Sequence, residues 1–436
     1  MNVYYSMKKE DVRTLLARSD EIESEEVSSA VREILEQVRT GGEEAVKERT
    51  LAFDGVELTS LLYDRERIGK EARQVSADLA SAIAEAARNI ETFHASQRPV
   101  HEKVEVQPGV TCWQKSVPIE RVGLYIPGGT APLFSTLLML AVPAKLAGCP
   151  SITIATPPRP DGSVDPTILY CADLLGIKDI LTCGGAQAIG ALAYGTESNR
   201  PVDKIFGPGN RFVTEAKQQV NSAGVSIDMP AGPSEVMVVV DSSTPVQFAA
   251  ADILSQCEHG RDSQAVLVVI DRTAQEGEAI VQEILDHVNS QMDALIRREL
   301  AESSLSRSYA VIVESEEEAV DIINEYAPEH LILALEEYHV IEEQVVNAGS
   351  VFLGLYSPES AGDYASGTNH TLPTSGYARA YSGVNLSSFM KTITYQHLSP
   401  QGITDLSRTI VTMAEAETLQ AHARAVSIRL DALKGV

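Results

Sequence analysis

From Gly123 onward the sequence alternates short apolar runs with helical stretches, and this alternation constrains the fold more than any other feature. The first series contains the runs RVGLYIPGG, SITIATPP, DILTCGG and KIFGPG, each ending in a turn rich in glycine or proline. The second series follows VSIDMPAGP and contains SEVMVVVD, QAVLVVID, YAVIVES, HLILAL and GSVFLG. Strands that alternate with helices are typical of βα units and of mainly parallel sheets. The sequence therefore predicts two α/β domains with a boundary near residues 228–234.

The regions that flank these two series are predicted to be mainly helical. Apolar residues spaced three and four apart indicate helices in DVRTLLARS, in SADLASAIAEAARNIETFHASQ, and in VSSAVREILEQVRTGG, which Gly41 and Gly42 close. The stretch EVQPGVTCWQKSVP changes to a period of two, which indicates strands. After Gly354 the chain is rich in loops, and it ends in a long helical segment that begins at Ile403.

Composition and charge exclude several classes of protein. The net charge of −26, from 35 basic and 61 acidic residues, argues against nucleic-acid binding, which requires a basic face to neutralise phosphates. The five cysteines are scattered without a CxxC pair, so neither a disulfide framework nor a cysteine zinc site is indicated. The N-terminus lacks a secretory signal, and the longest apolar segment, residues 131–144, is too short to span a bilayer. We therefore expect a cytoplasmic protein that does not bind membranes.

Glycine and polar residues cluster where the predicted strands meet their loops, in YIPGGT, CGGAQ, FGPGN, MPAGPSE and YAPEH. Parallel sheets bind ligands at the carboxyl ends of their strands, where we expect these segments to lie. The glycines at 128–129, 184–185, 207 and 209 would let the backbone approach a phosphate group before a helix. The GxGxxG fingerprint is absent, however, and turns that need a positive φ explain the same glycines. Both interpretations stay open.

Two residues near the end of the predicted helix PVQFAAADILSQCEH are candidate metal ligands. Gln256 and His259 are three positions apart and so project from one helical face. An amide oxygen and a neutral imidazole suit a metal such as Zn²⁺. The same pattern fits an ordinary helix end, in which the histidine interacts with the helix dipole and Gly260 stops the helix.

Two further acid and histidine pairs lie near the C-terminus. Asp363 and His370 belong to the long glycine-rich and serine-rich segment at residues 357–376, and long irregular segments are often functional. Glu417 and His422 belong to the helical stretch AEAETLQAHARAV, but a spacing of five does not place them closely on one face. The alternative for both pairs is that their side chains are solvated and have no function.

A last candidate lies in APEHLILAL, where an acidic helix stopped by Pro328 meets a buried strand. Glu329 and His330 stand side by side at this junction. Neighbouring residues of a strand point to opposite faces, which argues against joint chelation of one metal. Either residue could serve as a general acid or base, or both could be polar residues of a turn.

These segments together identify a resemblance to the histidinol dehydrogenase family from about Gly123 to Arg429, and a weaker one through the N-terminal region. The similar segments are VGLYIPGGTAPLFSTLLMLAVPAKLAGC, GGAQAIGALAYGTE, KIFGPGNRFVTEAK, IDMPAGPSEV, APEHL and SAGDYASGTNHTLPT. The resemblance implies two incomplete Rossmann-like domains with mainly parallel sheets, a helical N-terminal region and a small C-terminal helical extension. It implies a helical arm at 1–25, a catalytic α/β domain at 26–122 and 234–384, an NAD-binding domain at 123–233, and an extension at 385–436.

The resemblance also implies an activity and a set of site residues. The activity is the zinc-dependent oxidation of L-histidinol, through the aldehyde level, to L-histidine with two NAD⁺. A homodimer is implied, in which the extension reaches the partner subunit. The resemblance implies that zinc is bound by Gln256, His259, Asp363 and His422, and that NAD⁺ is contacted by Tyr125, Gln187 and Asn210. The substrate would be contacted by the four zinc ligands together with Ser234, His330, His370 and Glu417. Glu329 and His330 would carry out the acid/base chemistry.

One residue departs from the family's pattern, and three alternatives remain open. Arg261 in EHGRDS stands where a proline is expected, beside the implied zinc ligands but replacing none of them. A related zinc and NAD dehydrogenase that oxidises another small alcohol, such as a sulfonated diol, would keep the same metal and acid/base residues. A metabolite-binding protein without activity or a zinc hydrolase would share the scaffold but would not reduce NAD⁺.

Overall fold

The computed structural model describes residues 1–5, 7–16, 25–128 and 132–435. The chain forms two compact units. The first comprises Met1–Gln97 and Ile119–Phe389, and the second comprises Arg98–Pro118 and Met390–Val436. Within the described residues, no helix combines the length and the apolar character needed to cross a membrane.

The first unit begins with one strand and then a series of helices. They are β1 (Asn2–Tyr5), α1 (Val12–Leu15), α2 (Glu25–Asp54), α3 (Arg65–Ala72) and α4 (Ala77–Ala95). β1 differs from the helical arm expected over residues 1–25, because Asn2–Tyr5 pair in parallel with the later strand Tyr309–Val313. Residues 17–24 of that expected arm lie outside the described part of the chain. Gly42, expected to close a helix, instead kinks α2 with φ 57° and ψ −138°.

Two strands of the second unit, β2 (Val104–Gln107) and β3 (Val110–Pro118), precede the first sheet of the first unit. That sheet has five parallel strands in the order β6-β5-β4-β7-β8. Its elements are β4 (Arg121–Tyr125), α5 (Phe134–Ala147), β5 (Ser151–Thr156), α6 (Pro166–Leu174), β6 (Asp179–Thr182), α7 (Gly185–Tyr194), β7 (Lys204–Phe206), α8 (Arg211–Ser222) and β8 (Ser226–Ile227).

The second sheet of the first unit has six parallel strands in the order β1-β11-β10-β9-β12-β13. Successive residues of β9 after its first, Glu235, enter two different hydrophobic clusters, one on each face of the sheet, which explains why residues 236–240 are all apolar. The prediction of mainly parallel α/β sheets is thus confirmed. The elements are β9 (Glu235–Val240), α9 (Val246–Cys257), β10 (Gln264–Ile270), α10 (Ala274–Met292), α11 (Arg298–Ser306), β11 (Tyr309–Val313), α12 (Glu316–Tyr326), β12 (His330–Leu333), α13 (His339–Glu342), β13 (Ser350–Leu353) and α14 (Glu359–Tyr364).

The polar turns lie at different ends of the strands in the two sheets. The turns YIPGGT, CGGAQ and FGPGN follow β4, β6 and β7, at the carboxyl ends of these strands. MPAGPSE follows β8 at its carboxyl end and then leads into β9. YAPEH instead precedes β12, so the expectation that all five segments lie at carboxyl ends is wrong for this segment. The reason is local: Pro328 and Glu329 leave the end of α12, and the chain enters β12 only at His330.

The second unit is a three-stranded antiparallel sheet with two helices. Its remaining elements are β14 (Met390–Leu398), α15 (Pro400–Ala416) and α16 (Gln420–Lys434). The strand order is β14-β3-β2, in which β3 pairs with β14. Residues 98–118, which the resemblance assigns to the catalytic domain, fall in this second unit with the C-terminal part of the chain. The single helix expected at the C-terminus is interrupted at Thr418, whose φ is 61°.

Candidate active site

A cavity of about 680 Å³ lies in the first unit between the carboxyl edge of the five-stranded sheet and the amino edge of the six-stranded sheet. The turn after β7 and the beginnings of α5 and α8 line it from the first sheet. The residues before β9, β10 and β12 line it from the second sheet. Six predicted site residues line this cavity from the side of the second sheet. They are Ser234, His259, Glu329, His330, Asp363 and His370.

Glu329 and His330 reach this cavity because α12 ends sharply. Ala327 takes a left-handed φ of 55° at the end of the helix, and Pro328 prevents its continuation. Only His330 belongs to β12, so the alternation of strand side chains does not separate the two residues. His330 Nδ1 and Glu329 Oε2 are 3.7 Å apart, and both side chains are buried. The two side chains therefore lie at the same cavity, whereas strand alternation argued only against their joint chelation of one metal.

The Glu329 carboxylate is held by two donors. Its Oε2 atom accepts hydrogen bonds from Ser234 Oγ at 2.7 Å and from the backbone N–H of Glu235 at 2.9 Å. Burial raises the pKa of Glu329 to about 7, and the charge of His330 and the two hydrogen bonds oppose this rise. A carboxyl group with this pKa exchanges protons near neutral pH, as a general base or acid must.

His330 is surrounded by carboxylates. Its Nδ1 lies 3.4 Å from Glu359 Oε1, and its Nε2 lies 3.6 Å from Asp363 Oδ1. Burial by itself lowers the pKa of this imidazole, but the negative charges of Glu359, Glu329 and Asp363 outweigh burial and raise the pKa above its ordinary value. Neither ring nitrogen has a hydrogen-bond partner among the described residues. Both nitrogens instead lie beside carboxylate oxygens, at 3.4–3.7 Å.

A group of potential metal ligands adjoins this pair. The ligand atoms of His259, Glu359 and Asp363 all lie within 4.8 Å of one another. His259 stands just after the end of α9, and 44% of its side chain is exposed. Gln256 is fully buried on α9; its Oε1 lies 3.4 Å from Ser234 Oγ, and its Nε2 has no partner among the described residues. Imidazole and oxygen donors of this kind suit Zn²⁺.

Glu359 was missed by the sequence analysis. Its side chain is 1% exposed, and neither carboxylate oxygen has a hydrogen-bond partner among the described residues. A buried carboxylate without partners is costly unless a positive charge lies close to it, and His330 or a metal ion would supply that charge. The available signal was the spacing of four between Glu359 and Asp363, which places both on one face of α14.

His370 has both of its ring nitrogens engaged. Its Nδ1 lies 2.9 Å from the backbone oxygen of Asp363, and its Nε2 lies 3.1 Å from the hydroxyl of Thr136 on α5. The residue therefore joins the segment after β13 to the helix that follows β4. Burial lowers the pKa of His370, which favours the neutral imidazole.

The residues predicted to contact the cofactor occupy two kinds of position. Asn210 lines the cavity and caps α8, accepting hydrogen bonds from the backbone of Phe212 and Val213. Tyr125 and Gln187 are buried and do not line the cavity. The Tyr125 hydroxyl accepts a hydrogen bond from the backbone of Gly185 at 3.2 Å. Gly129, part of a predicted phosphate-binding turn, lies outside the described residues.

A buried ion pair that the sequence analysis missed holds the turn after β7. Lys217 Nζ lies 2.5 Å from Asp228 Oδ1 and donates to the backbone oxygen of Gly207 at 2.7 Å. The backbone N–H of Gly207 donates to the second oxygen of Asp228 at 2.8 Å. Gly207 has a φ of 123°, and a side chain there would place its Cβ 2.1 Å from the backbone oxygen of Tyr125. The turn thus requires glycine.

Glu417 and His422 belong to the second unit. Glu417 follows the last residue of α15, and His422 lies in the first turn of α16. Both side chains are exposed.

Comparison with known proteins places this chain in one family. The sequence model of histidinol dehydrogenase matches residues 17–430. The histidinol dehydrogenase of Bacteroides thetaiotaomicron is 54% identical over 426 residues, covering 98% of this chain and 98% of that protein. The enzyme of Vibrio parahaemolyticus is 47% identical over 433 residues, covering 99% and 98%. The crystal structure of histidinol dehydrogenase from Elizabethkingia anophelis superimposes with a TM-score of 0.95 at 47% identity, covering 100% of this chain and 99% of that one. The chain therefore belongs to the histidinol dehydrogenase family.

Proposed function

We propose that the protein oxidises L-histidinol to L-histidine, in two steps through the aldehyde level, with Zn²⁺ and two NAD⁺. The observation that carries this proposal is the meeting of Glu329 and His330 with His259 and Asp363 at one cavity. An acid/base pair beside a set of imidazole and carboxylate ligands is the equipment that a metal-assisted dehydrogenase needs. The family membership of the chain supports the choice of substrate.

The donor set fits a zinc ion. Gln256, His259 and Asp363 would hold it from this chain, and His422 of a second copy would complete the set. The buried Glu359 carboxylate, which has no hydrogen-bond partner among the described residues, supports this assignment, because a cation nearby would relieve the cost of its burial. When bound, zinc would supply a positive charge that orients the imidazole and amine nitrogens of the substrate. Ser234 and His370, with Glu417 of a second copy, would complete the surroundings of the substrate.

His330 would move the protons of both oxidations. Among the described residues its ring nitrogens have no hydrogen-bond partner, and the surrounding carboxylates would stabilise the imidazolium that forms when the substrate hydroxyl loses its proton. The cavity beside it would hold the substrate carbon that loses hydride. NAD⁺ would accept this hydride at its nicotinamide ring. Asn210 at the start of α8, with Tyr125 and Gln187 behind the glycine turns, would form the cofactor side within residues 123–233.

Glu329 would serve the second oxidation. The aldehyde must be hydrated before a second hydride can leave, so a water molecule must lose a proton in the site. Glu329 suits this task because burial raises its pKa to about 7 while Ser234 and the Glu235 backbone hold its carboxylate in place. The ionised form is therefore available near neutral pH without large cost.

We further propose that the active protein is a homodimer. The second unit buries few apolar side chains, among them Val110, Ala414, Ala423 and Val426. It exposes large ones in several of its elements, including Val106, Ile393, Met413, Leu419 and Ile428. A small unit with so little core and so much exposed apolar surface requires a partner. A second copy of the chain would cover this surface and receive Glu417 and His422 in its cavity.

The dimer is tested by mixing two inactive proteins. His330→Asn removes the base from the cavity, and His422→Asn removes the residue offered to the partner. If sites are shared, subunit exchange between the two variants creates dimers in which one site has both residues, and up to about half of the sites per mixed dimer recover. No recovery after exchange, verified by native mass spectrometry, would contradict shared sites.

The reaction is tested by stoichiometry. The zinc-loaded protein is incubated with a limiting amount of L-histidinol and excess NAD⁺, and NADH is counted by its absorbance. Two NADH and one L-histidine per substrate support the proposal. One NADH with accumulation of aldehyde, or no NADH at all, contradicts it, and a sulfonated diol tested in parallel identifies the related enzyme. A cytoplasmic location remains a prediction.

A further inference from the structure

Helix α5 has a gap in its backbone hydrogen bonds, and the segment that contains Asn369 binds there. Pro143 lies inside this helix and has no backbone N–H, so the carbonyl of Met139, four residues earlier, has no helical partner. Met139 is fully buried, where an unpaired carbonyl is costly. The Asn369 side chain donates to this carbonyl at 2.6 Å. The oxygen of the same side chain accepts a hydrogen bond from the backbone N–H of Thr371 at 3.0 Å, which stabilises the segment around Asn369.

A second contact from α5 reaches the next residue of that segment. The Thr136 hydroxyl lies 3.1 Å from Nε2 of His370, and Nδ1 of His370 lies 2.9 Å from the backbone oxygen of Asp363. A carbonyl oxygen can only accept a hydrogen bond, so Nδ1 carries the proton. In the neutral ring Nε2 must then be the acceptor, and the Thr136 hydroxyl is its donor. The two contacts fix both the tautomer and the orientation of the imidazole.

We propose that Thr136 is a positioning residue for the metal ligand Asp363, acting through His370. The Thr136 hydroxyl orients the imidazole, and the imidazole holds the backbone of Asp363 so that its carboxylate faces His259 and His330. This inference rests on the proposed role of Asp363 as a zinc ligand. It also connects the helix that follows the cofactor turn of β4 to the metal side of the cavity.

The test removes the hydroxyl without changing the volume of the side chain. Thr136→Val leaves the Nε2 atom of His370 without its donor, and we expect zinc affinity to fall about tenfold, as for other hydrogen bonds whose buried partner is left unpaired. Zinc affinity is measured by competition with a chromophoric chelator, without substrate or cofactor. Thr136→Ser keeps the hydroxyl and should restore the affinity. The KM for L-histidinol should rise in Thr136→Val more than kcat falls, because binding rather than chemistry is disturbed.

Thr50→Val is the matched control. Thr50 is fully buried, its hydroxyl donates to the backbone of Val46 within α2, and it does not line the cavity. We expect it to bind zinc as the unaltered chain does. The affinity for NADH, measured by fluorescence, should change less than about twofold in Thr136→Val, because α5 itself stays folded.

Three results would overturn the inference: unchanged zinc affinity in Thr136→Val, failure of Thr136→Ser to restore it, or an equal loss in Thr50→Val. The failure of the proposed function looks different. If Thr136→Val weakens zinc binding as expected while the unaltered chain produces no NADH from L-histidinol, the positioning role is supported and the proposed reaction is contradicted.

Discussion

The two parallel sheets of the first unit face the same cavity with opposite edges. The five-stranded sheet presents carboxyl ends, glycine turns and the beginnings of α5 and α8. The six-stranded sheet presents amino ends, together with the last turns of α9 and α12, beside which His259 and His330 stand. Helix beginnings carry partial positive charge and suit phosphates, whereas helix ends carry partial negative charge and suit cations and imidazolium. The edge of the five-stranded sheet is thus suited to an anion, and the edge of the six-stranded sheet is suited to a cation.

The largest expected effect comes from removing the base on the amino edge of the six-stranded sheet. We expect His330→Asn to slow both oxidations by about 10²–10⁴-fold, the usual contribution of a general base. Zinc and NADH binding should persist, because His330 belongs to neither set of ligands. Rates with L-histidinol and with the aldehyde are compared by NADH absorbance, and metal content is measured in the same preparation. A loss of zinc in the variant would contradict the separation of base and ligands.

A smaller and more selective effect is expected from Glu329→Gln. The amide keeps the size of the side chain but cannot take a proton, so aldehyde oxidation should slow by about 10²-fold while alcohol oxidation changes less. In the unaltered chain burial raises the pKa of Glu329 to about 7, and the ionised form is the proposed base, so aldehyde oxidation should rise as the pH increases through 7. This rise should disappear in the variant. Equal losses in both half-reactions would contradict the assigned role.

On the carboxyl edge, Gly207→Ala should affect the cofactor and spare the metal. Alanine at a φ of 123° would bring its Cβ onto the Tyr125 carbonyl, so the turn must shift. Backbone strain of about 1–3 kcal/mol predicts NADH binding weaker by roughly tenfold. Gly224→Ala is the matched control, because Gly224 has a φ of 104° but open space around it. NADH affinity is measured by fluorescence titration, and zinc affinity by competition with a chelator. A loss of zinc affinity alone would contradict the assignment of this edge to the cofactor.

The smallest expected effect is a change in pH dependence from Glu359→Gln. The Glu359 carboxylate raises the pKa of His330, so a neutral amide should lower it. The base must be neutral to accept a proton, so the acid limb of the kcat/KM profile should move to lower pH. The plateau value of kcat/KM should fall by about tenfold at most. Glu258→Gln, beside His259 but outside the metal-ligand group, should leave the limb in place. A limb that moves to higher pH would contradict the contact between Glu359 and His330.

Much of the fold could be predicted from local patterns. The alternation of strands and helices, the parallel sheets and the sharp end of α12 before Pro328 all depend on neighbouring residues, and the structure agrees. The strand β1 and the pairing of β3 with β14 could not be predicted in this way, because their partners lie hundreds of residues away in the sequence. The same limit explains why Thr136 was missed, because it has meaning only through His370, which folding brings close to it. Glu359 had a local signal in its spacing of four from Asp363, but its contact with His330 also depends on folding.

The sequence by itself determined the α/β class, the turns that require glycine and the chemistry available at each polar segment, because periodicity and backbone geometry are local properties. It also carried the family resemblance that named the candidate ligands. Only the tertiary structure decided that Glu329 and His330 converge, and that YAPEH stands at the amino end of β12. The physical reason is that a parallel sheet fixes the direction of its strands but not which edge closes on another sheet. That choice depends on packing between the two sheets, which no local pattern encodes.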